Sequence, residues 1–311
     1  MNFYETSPQA LEQFFPQDEE GYALTAFGFY FSFRFPDGYR LELRRRCAEI
    51  CADYWRLCGR HLVWMITPKT CLWRRIPEGY AMQQWLQAFP NQDWVWSMIF
   101  HSGRIPSEAA EYQIVGLGCG MRTYCYSYLT LILPATWFAQ NPGQHPIELF
   151  LRWSTLLQAR DGSAGLGLIP PEDTPKRGRT SKLAAAFRKQ FPGAELVNPL
   201  GQHNMFWGLL STNWLTMIGS ECIEKLGGVA GIKTRLANEA LGGEIGIHEY
   251  PSGMIFSAGE APLLYQDDEI GQPPLVYGPV ARLLKPLRTS EPWGSWGLPE
   301  KECLDWLARF D

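Results

Sequence analysis

Residues 26–35 read AFGFYFSFRF, and Phe27, Phe29, Phe31, Phe33 and Phe35 fall on every second position. Side chains alternate between the two faces of a strand, so this spacing predicts a strand with one face built of phenylalanine. Pro36-Asp37-Gly38 carries the chemistry of a turn. Leu43, Cys47, Ile50, Cys51, Tyr54 and Cys58 then recur at helical spacing, with Glu42, Arg46, Glu49, Asp53 and Arg56 mostly on the other side. Gly59 stands where a helix C-terminus favours a left-handed residue. His61 to Ile66 reads as the next strand. The chain therefore opens strand, helix, strand.

The same reading continues outward. A helix is expected near Glu78 to Phe89, stopped by Pro90, and a strand over Trp94 to His101. Gln113–Leu117 and Thr123–Leu133 flank a glycine-rich turn as a hairpin. Pro146 to Ala159 is helical and Ala164 to Ile169 a short strand. PPEDTPKRGRT, residues 170–180, is the clearest loop. Helices follow over Ser181–Gln190 and Val229–Asn238. Glu244–Tyr250 and Met254–Ala258 pair around Pro251-Ser252-Gly253, and helices near Pro274–Lys285 and Pro299–Phe310 close the chain. This mixture of helices and hairpins predicts an α+β fold with a largely antiparallel sheet, or sheets, and helices packed on the faces. The chain reads as one unit, or as two closely packed halves (about 1–169 and 181–311) joined by the loop.

Composition excludes some functions. With 46% apolar and 19% charged residues, the chain of 311 can bury a large core and is not disordered. A net charge of −4 supplies no global field for nucleic acid or an anionic membrane. No run of some 18 apolar residues predicts a membrane span. The opening stretch MNFYETSPQALEQFFPQDEEG carries acids in place of a basic leader, so no signal peptide is expected and the cytoplasm is the expected compartment. Eight cysteines form no CxxC pair and no zinc-spaced cluster with histidine, which predicts buried free thiols in a reducing setting.

No motif for chemistry stands out. Val115–Gly120, VGLGCG, resembles a dinucleotide loop, but a strand pattern follows in place of the helix that would meet a phosphate. A glycine-rich turn is the better reading, and no cofactor is predicted. His61, His101, His145, His203 and His248 are scattered, so no metal site follows from spacing, and there is no GxSxG elbow. No catalytic residue is assigned. Arg44-Arg45-Arg46 reads as a solvated helix face paired with nearby acids. Asp267-Asp268-Glu269 is a compact acidic loop, the one candidate for binding a basic partner.

Residues 211–228, STNWLTMIGSECIEKLGG, read as a helix. Thr212 or Asn213 would cap it, Leu215, Ile218, Cys222 and Leu226 would line one face, and Gly227-Gly228 would end it. The same stretch carries a resemblance. With HEYPSGMIFSAGEAP and YGPVARLLKPLR, in that order, it resembles the C-terminal half of the type VI secretion immunity protein family. The matching blocks are Asn213–Thr216, Leu226–Gly228, Gly253–Gly259 and Leu284–Arg288. The N-terminal half agrees more loosely, through an aromatic strand, a helix and HLVWMITP. After Gly259 the family often has a Gly-Asp pair, where this chain has Tyr265-Gln266-Asp267-Asp268.

The resemblance implies an interaction protein, not an enzyme: an inhibitor that binds and neutralises a cognate injected effector toxin, expected to be a nuclease. Such a partner holds polyphosphate and so presents a basic cleft, to which an acidic inhibitor is complementary. Direct binding of nucleic acid or membrane is not expected. Two alternatives stand beside it: an enzyme of unknown reaction on an unfamiliar α+β fold, and an adaptor of the secretion apparatus.

Overall fold

The computed structural model describes residues 9–68, 70–88, 95–120, 126–171, 180–197, 208–209, 212–266, 269–290 and 299–311. The phenylalanine strand is its centre. β1 (Ala26–Phe35) is buried along its whole length. On one side it pairs with β6 (Ser127–Pro134), which leads outward through β5 (Gln113–Gly118), β4 (Trp96–His101), β2 (Trp64–Ile66) and β3 (Trp73–Arg75). On the other side it pairs with β7 (Asp161–Ile169), which leads through β9 (Leu215–Gly219) and β11 (Gly253–Ala258) to β10 (Ile245–Tyr250). These pairings are all antiparallel; β8 (Glu195–Leu196) adds a parallel pairing to β7. The expected α+β class with a largely antiparallel sheet is what forms.

The five phenylalanines do face one layer. Phe31 meets Trp153 edge-on at 5.0 Å, Phe33 lies 5.3 Å from Phe150, and Phe29 meets Phe138 at 5.0 Å. Trp153 and Phe150 come from α2 (Pro146–Leu157), which packs beside α1 (Leu41–Cys58). Cys47, Ile50, Cys51, Tyr54 and Cys58 are buried on α1, as their spacing predicted. Burial pushes the Cys47 and Cys51 thiols up and Cys58 to about 12, so they behave as small apolar groups. Tyr54 donates its hydroxyl to the Ile132 carbonyl and ties α1 to the sheet. Aromatic pairs at these distances add to the area they bury.

The opposite face of β1 is polar toward its end. Tyr30 lies 3.1 Å from the Ser163 hydroxyl, Ser32 3.1 Å from Thr130, and Arg34 Nε donates to Asp161 Oδ1 at 2.7 Å. Arg160 holds the other Asp161 oxygen at 2.7 Å, and Tyr126 lies under both guanidinium groups. A buried charge needs such partners.

Several local expectations change. The helix expected from Asn213 is β9 followed by the short helix Ser220–Lys225. β9 is buried on both faces, so its apolar run carries no alternation, and Leu215, Ile218 and Cys222 match helical spacing by coincidence. Asn213 therefore caps no helix: its Oδ1 accepts from the Trp214 N–H at 2.7 Å. Gly227 does follow the end of that short helix, at φ +90°, but Gly228, at φ +76°, opens the next one, Gly228–Ala237. Gly59 is not left-handed (φ −58°); it is glycine because a Cβ there would lie 2.5 Å from the Trp55 ring. Arg44 is fully buried, against the solvated face expected for it, because it lies on the same side of α1 as Cys47 and Cys51. Arg46 does pair with Glu42. His61 stands in a 3₁₀ turn, outside the strand expected to include it. Free thiols are buried as expected at Cys47, Cys51, Cys58, Cys222 and Cys303, but the free Cys71 is exposed and Cys119 is disulfide-bonded. Cys119 lies just past β5, and its N–H donates to the Ser127 hydroxyl at 3.0 Å.

Candidate functional site

The acidic loop is the sequence-derived candidate. Asp267 and Asp268 lie outside the described residues; Glu269 is exposed. It sits in a tight turn in which the Glu269 N–H donates to the Gln266 carbonyl at 2.7 Å and Gln272 N–H to the Glu269 carbonyl at 3.1 Å. The surrounding stretch, Glu260 to Ala281, contains four acids and no Lys, Arg or His.

Buried neighbours pin this stretch on both flanks. Leu264 and Val276 are buried, and Tyr277 is fully buried. The Leu263 N–H donates to the Tyr277 hydroxyl at 3.0 Å. Gly193 N–H donates to the Leu264 carbonyl at 2.8 Å, Gly271 N–H to the Gln190 carbonyl at 2.9 Å, and Leu275 N–H to Gln266 Oε1 at 2.8 Å. Gly193 must be glycine, since a Cβ there would lie 2.1 Å from the Leu263 oxygen. With the buried side chains inward, Leu263, Ile270 and Leu275 are left outward, 36%, 53% and 63% exposed. Sequence reasoning missed them; the one signal was aliphatic residues set without periodicity in an acidic, proline-rich loop.

Beside the loop runs a groove of about 430 Å³, lined by Glu269, Pro273, Leu275, Arg282, Arg309 and Asp311 among others. Its basic groups are already matched. Arg282 donates to Glu239 at 2.6 Å and Arg309 to Glu195 at 3.4 Å, and Arg309 also stacks 3.7 Å over Trp306. Burial draws Arg309 below its ordinary value, against the pull of Glu195. Burial would raise the Asp311 carboxyl, but hydrogen bonds from Arg288 and Lys285 outweigh it and hold the group low. Glu260 and Glu269 make no ion pair among the described residues.

The other polar features look structural. His101 is buried in β4, its Nδ1 accepting from the Gly103 N–H at 2.9 Å. His248 and Ser257 stand 3.1 Å apart across β10 and β11, but no described carboxylate bonds to the imidazole to complete a triad. Among the described residues no group of three or more His, Cys, Asp or Glu is arranged to hold a metal. Gly116 and Gly118 of VGLGCG lie in β5, against Trp96: a Cβ on Gly118 would lie 1.9 Å from the indole nitrogen. They make room for an aromatic ring, not a phosphate.

Comparison with known proteins supplies the family. The family described as type VI immunity for VRR-NUC, TsiV, matches residues 46–310. The chain belongs to the TsiV family. A solved structure described as Pseudomonas aeruginosa T6SS protein PA0821 is similar in fold, with a TM-score of 0.78 at 19% identity over 94% of this chain and 86% of that one. No individually curated protein matches the chain. As a TsiV member it is a type VI immunity protein, and the resemblance seen in Asn213–Gly228 and the blocks after it led to the right family. Those blocks are scaffold: they build β9, β11 and the helix Gly278–Leu284. No described helix of this TsiV chain is long and apolar enough to cross a membrane.

Proposed function

We propose that the protein neutralises a cognate VRR-NUC nuclease effector by binding it directly, with no catalysis of its own, and that Asp267, Asp268 and Glu269 belong to the contacting surface. The family match across residues 46–310 carries this reading. A nuclease holds a polyphosphate backbone, so its cleft is basic, and acids placed against it give register and fast association. A stretch of four acids and no bases is complementary to such a cleft. A nuclease acts on nucleic acid, which supports the cytosol as the inhibitor's compartment. Occlusion of the nucleic-acid site is the mode this charge pattern fits.

The test is co-expression with a VRR-NUC effector from the same genome. Survival of the cells, and a complex that stays together on size exclusion, are expected. Killing at full expression of the inhibitor, with no complex recovered, would overturn the proposal.

A further inference from the structure

Three of the five large apolar side chains exposed among the described residues, Leu263, Ile270 and Leu275, fall within thirteen residues of one loop. The others, Leu72 and Val95, belong to the far end of the sheet near β3 and β4. Scattered exposed aliphatic residues need no explanation, but a concentration rimmed by polar groups does. The loop that carries these three is tied by hydrogen bonds to Gln190, Gly193, Gln266 and Tyr277. A held loop gives up little freedom when it is bound. The nearby acids are unspent: Glu260 and Glu269 make no ion pair among the described residues, whereas Arg282, Arg309, Lys285 and Arg288 are each matched by a carboxylate. One loop thus carries three exposed aliphatic side chains together with exposed acids that no described base compensates, and apolar anchors with a polar rim are what hold protein interfaces.

We infer that Leu263, Ile270 and Leu275 are the apolar anchors of the effector-docking surface, seated against the basic nucleic-acid cleft of the nuclease, with Glu260 and Glu269 on the rim. This rests on the proposed function and adds which side chains hold the complex. The anchors would dominate dissociation, and the rim acids association.

The experiment measures affinity and rates for the purified full-length chain and the catalytically inactivated effector, at two salt concentrations. Leu275→Ala and Ile270→Ala are each expected to weaken binding about tenfold or more, mainly by faster dissociation. Glu269→Lys is expected to slow association and flatten its salt dependence. Leu72→Ala, at the opposite edge and 66% exposed, is the control and leaves affinity unchanged. All four side chains are solvent-facing, so the thermal midpoint should hold, and it is measured for each. If the wild-type chain forms no complex, the proposed function fails. If the wild type binds and the loop variants bind equally well, the inference alone fails. A dimer of the free chain that the loop variants dissociate would assign the patch to a second copy, and would also overturn it.

Discussion

Asn213 Oδ1 occupies the space that a side chain on Gly165 would need: a Cβ added there would lie 2.2 Å from it. Gly165 is in β7 and Asn213 just precedes β9, so the glycine lets the amide lie flat on the neighbouring strand. The amide then serves the Trp214 N–H, while the Asn213 N–H donates to Thr216 Oγ1 at 3.1 Å and Thr216 Oγ1 donates back to the Asn213 carbonyl at 3.0 Å. Asn213→Ala leaves a buried backbone donor without a partner and should cost about 1–3 kcal/mol. Gly165→Ala overpacks the same spot and should cost a similar ~1–3 kcal/mol. The double variant should cost clearly less than the sum, because the new methyl fills the space the amide vacated. Denaturant melts of the two singles and the double measure this coupling; strict additivity would sink the account.

That corner explains what was legible and what was not. The Asn-Trp-Leu-Thr block identified the family correctly, yet its local structure was misread. Its polar atoms satisfy backbone groups at a strand entry instead of a helix start, and the two uses draw on the same residue types. β1 was legible because its two faces differ, phenylalanine against Tyr30, Ser32 and Arg34. β9 was not, because both of its faces carry apolar side chains, Leu215 and Met217 on one and Ile218 on the other. Arg44 hid for a related reason: its burial depends on how α1 packs, which spacing within one helix does not reveal. Of the candidate site, the acidic loop was visible as composition. The outward turn of Leu263, Ile270 and Leu275 was not, since it follows from Leu264, Val276 and Tyr277 taking the inward positions.

Arg34 and Asp161 sit opposite one another in the β1–β7 pairing, and both are buried. Removing the carboxylate with Asp161→Ala leaves two guanidinium groups, Arg34 and Arg160, facing each other without their shared acceptor. Breaking a buried pair this way costs about 3–5 kcal/mol. Replacing both with apolar residues, as in Arg34→Met with Asp161→Leu, should recover a large part of the loss. High salt should change neither result much, since buried pairs are poorly screened. A loss below about 1 kcal/mol, the range of a surface pair, would show that the network carries little stability.

His101 makes stability depend on pH. Burial lowers its pKa to about 4 from an ordinary 6.5, and its Nδ1 accepts a hydrogen bond that protonation would remove. The unfolded chain therefore binds a proton that the folded chain refuses between those values. Stability from this group is complete above about pH 6.5 and falls as the pH drops toward 4, by on the order of 3 kcal/mol in all. His101→Asn offers an acceptor to the Gly103 N–H but does not titrate. Unfolding free energies measured from pH 4 to 7 should slope upward for the wild type and be flatter for the variant. Parallel slopes would mean that His101 is not the titrating group.

The sheet runs across the boundary that the Pro-rich loop suggests. β7 ends at Ile169, just before that loop, and β9 begins at Leu215, well after it; yet Asp161, Gly162, Ser163 and Ala164 pair with Ile218, Met217, Thr216 and Leu215. α2, from the first half, packs against β10 and β11 of the second, and Phe27 of β1 meets Phe187 at 6.1 Å. Cutting the chain at the loop would expose the inner edges of β7 and β9 and the core between them. Unpaired inner edges of this kind invite aggregation. Calorimetry should therefore give one transition, with the calorimetric enthalpy equal to the van't Hoff value. Neither half, residues 1–169 or 181–311, should be soluble and folded when expressed alone. Two separable transitions, or one stable half, would make the loop a true domain boundary.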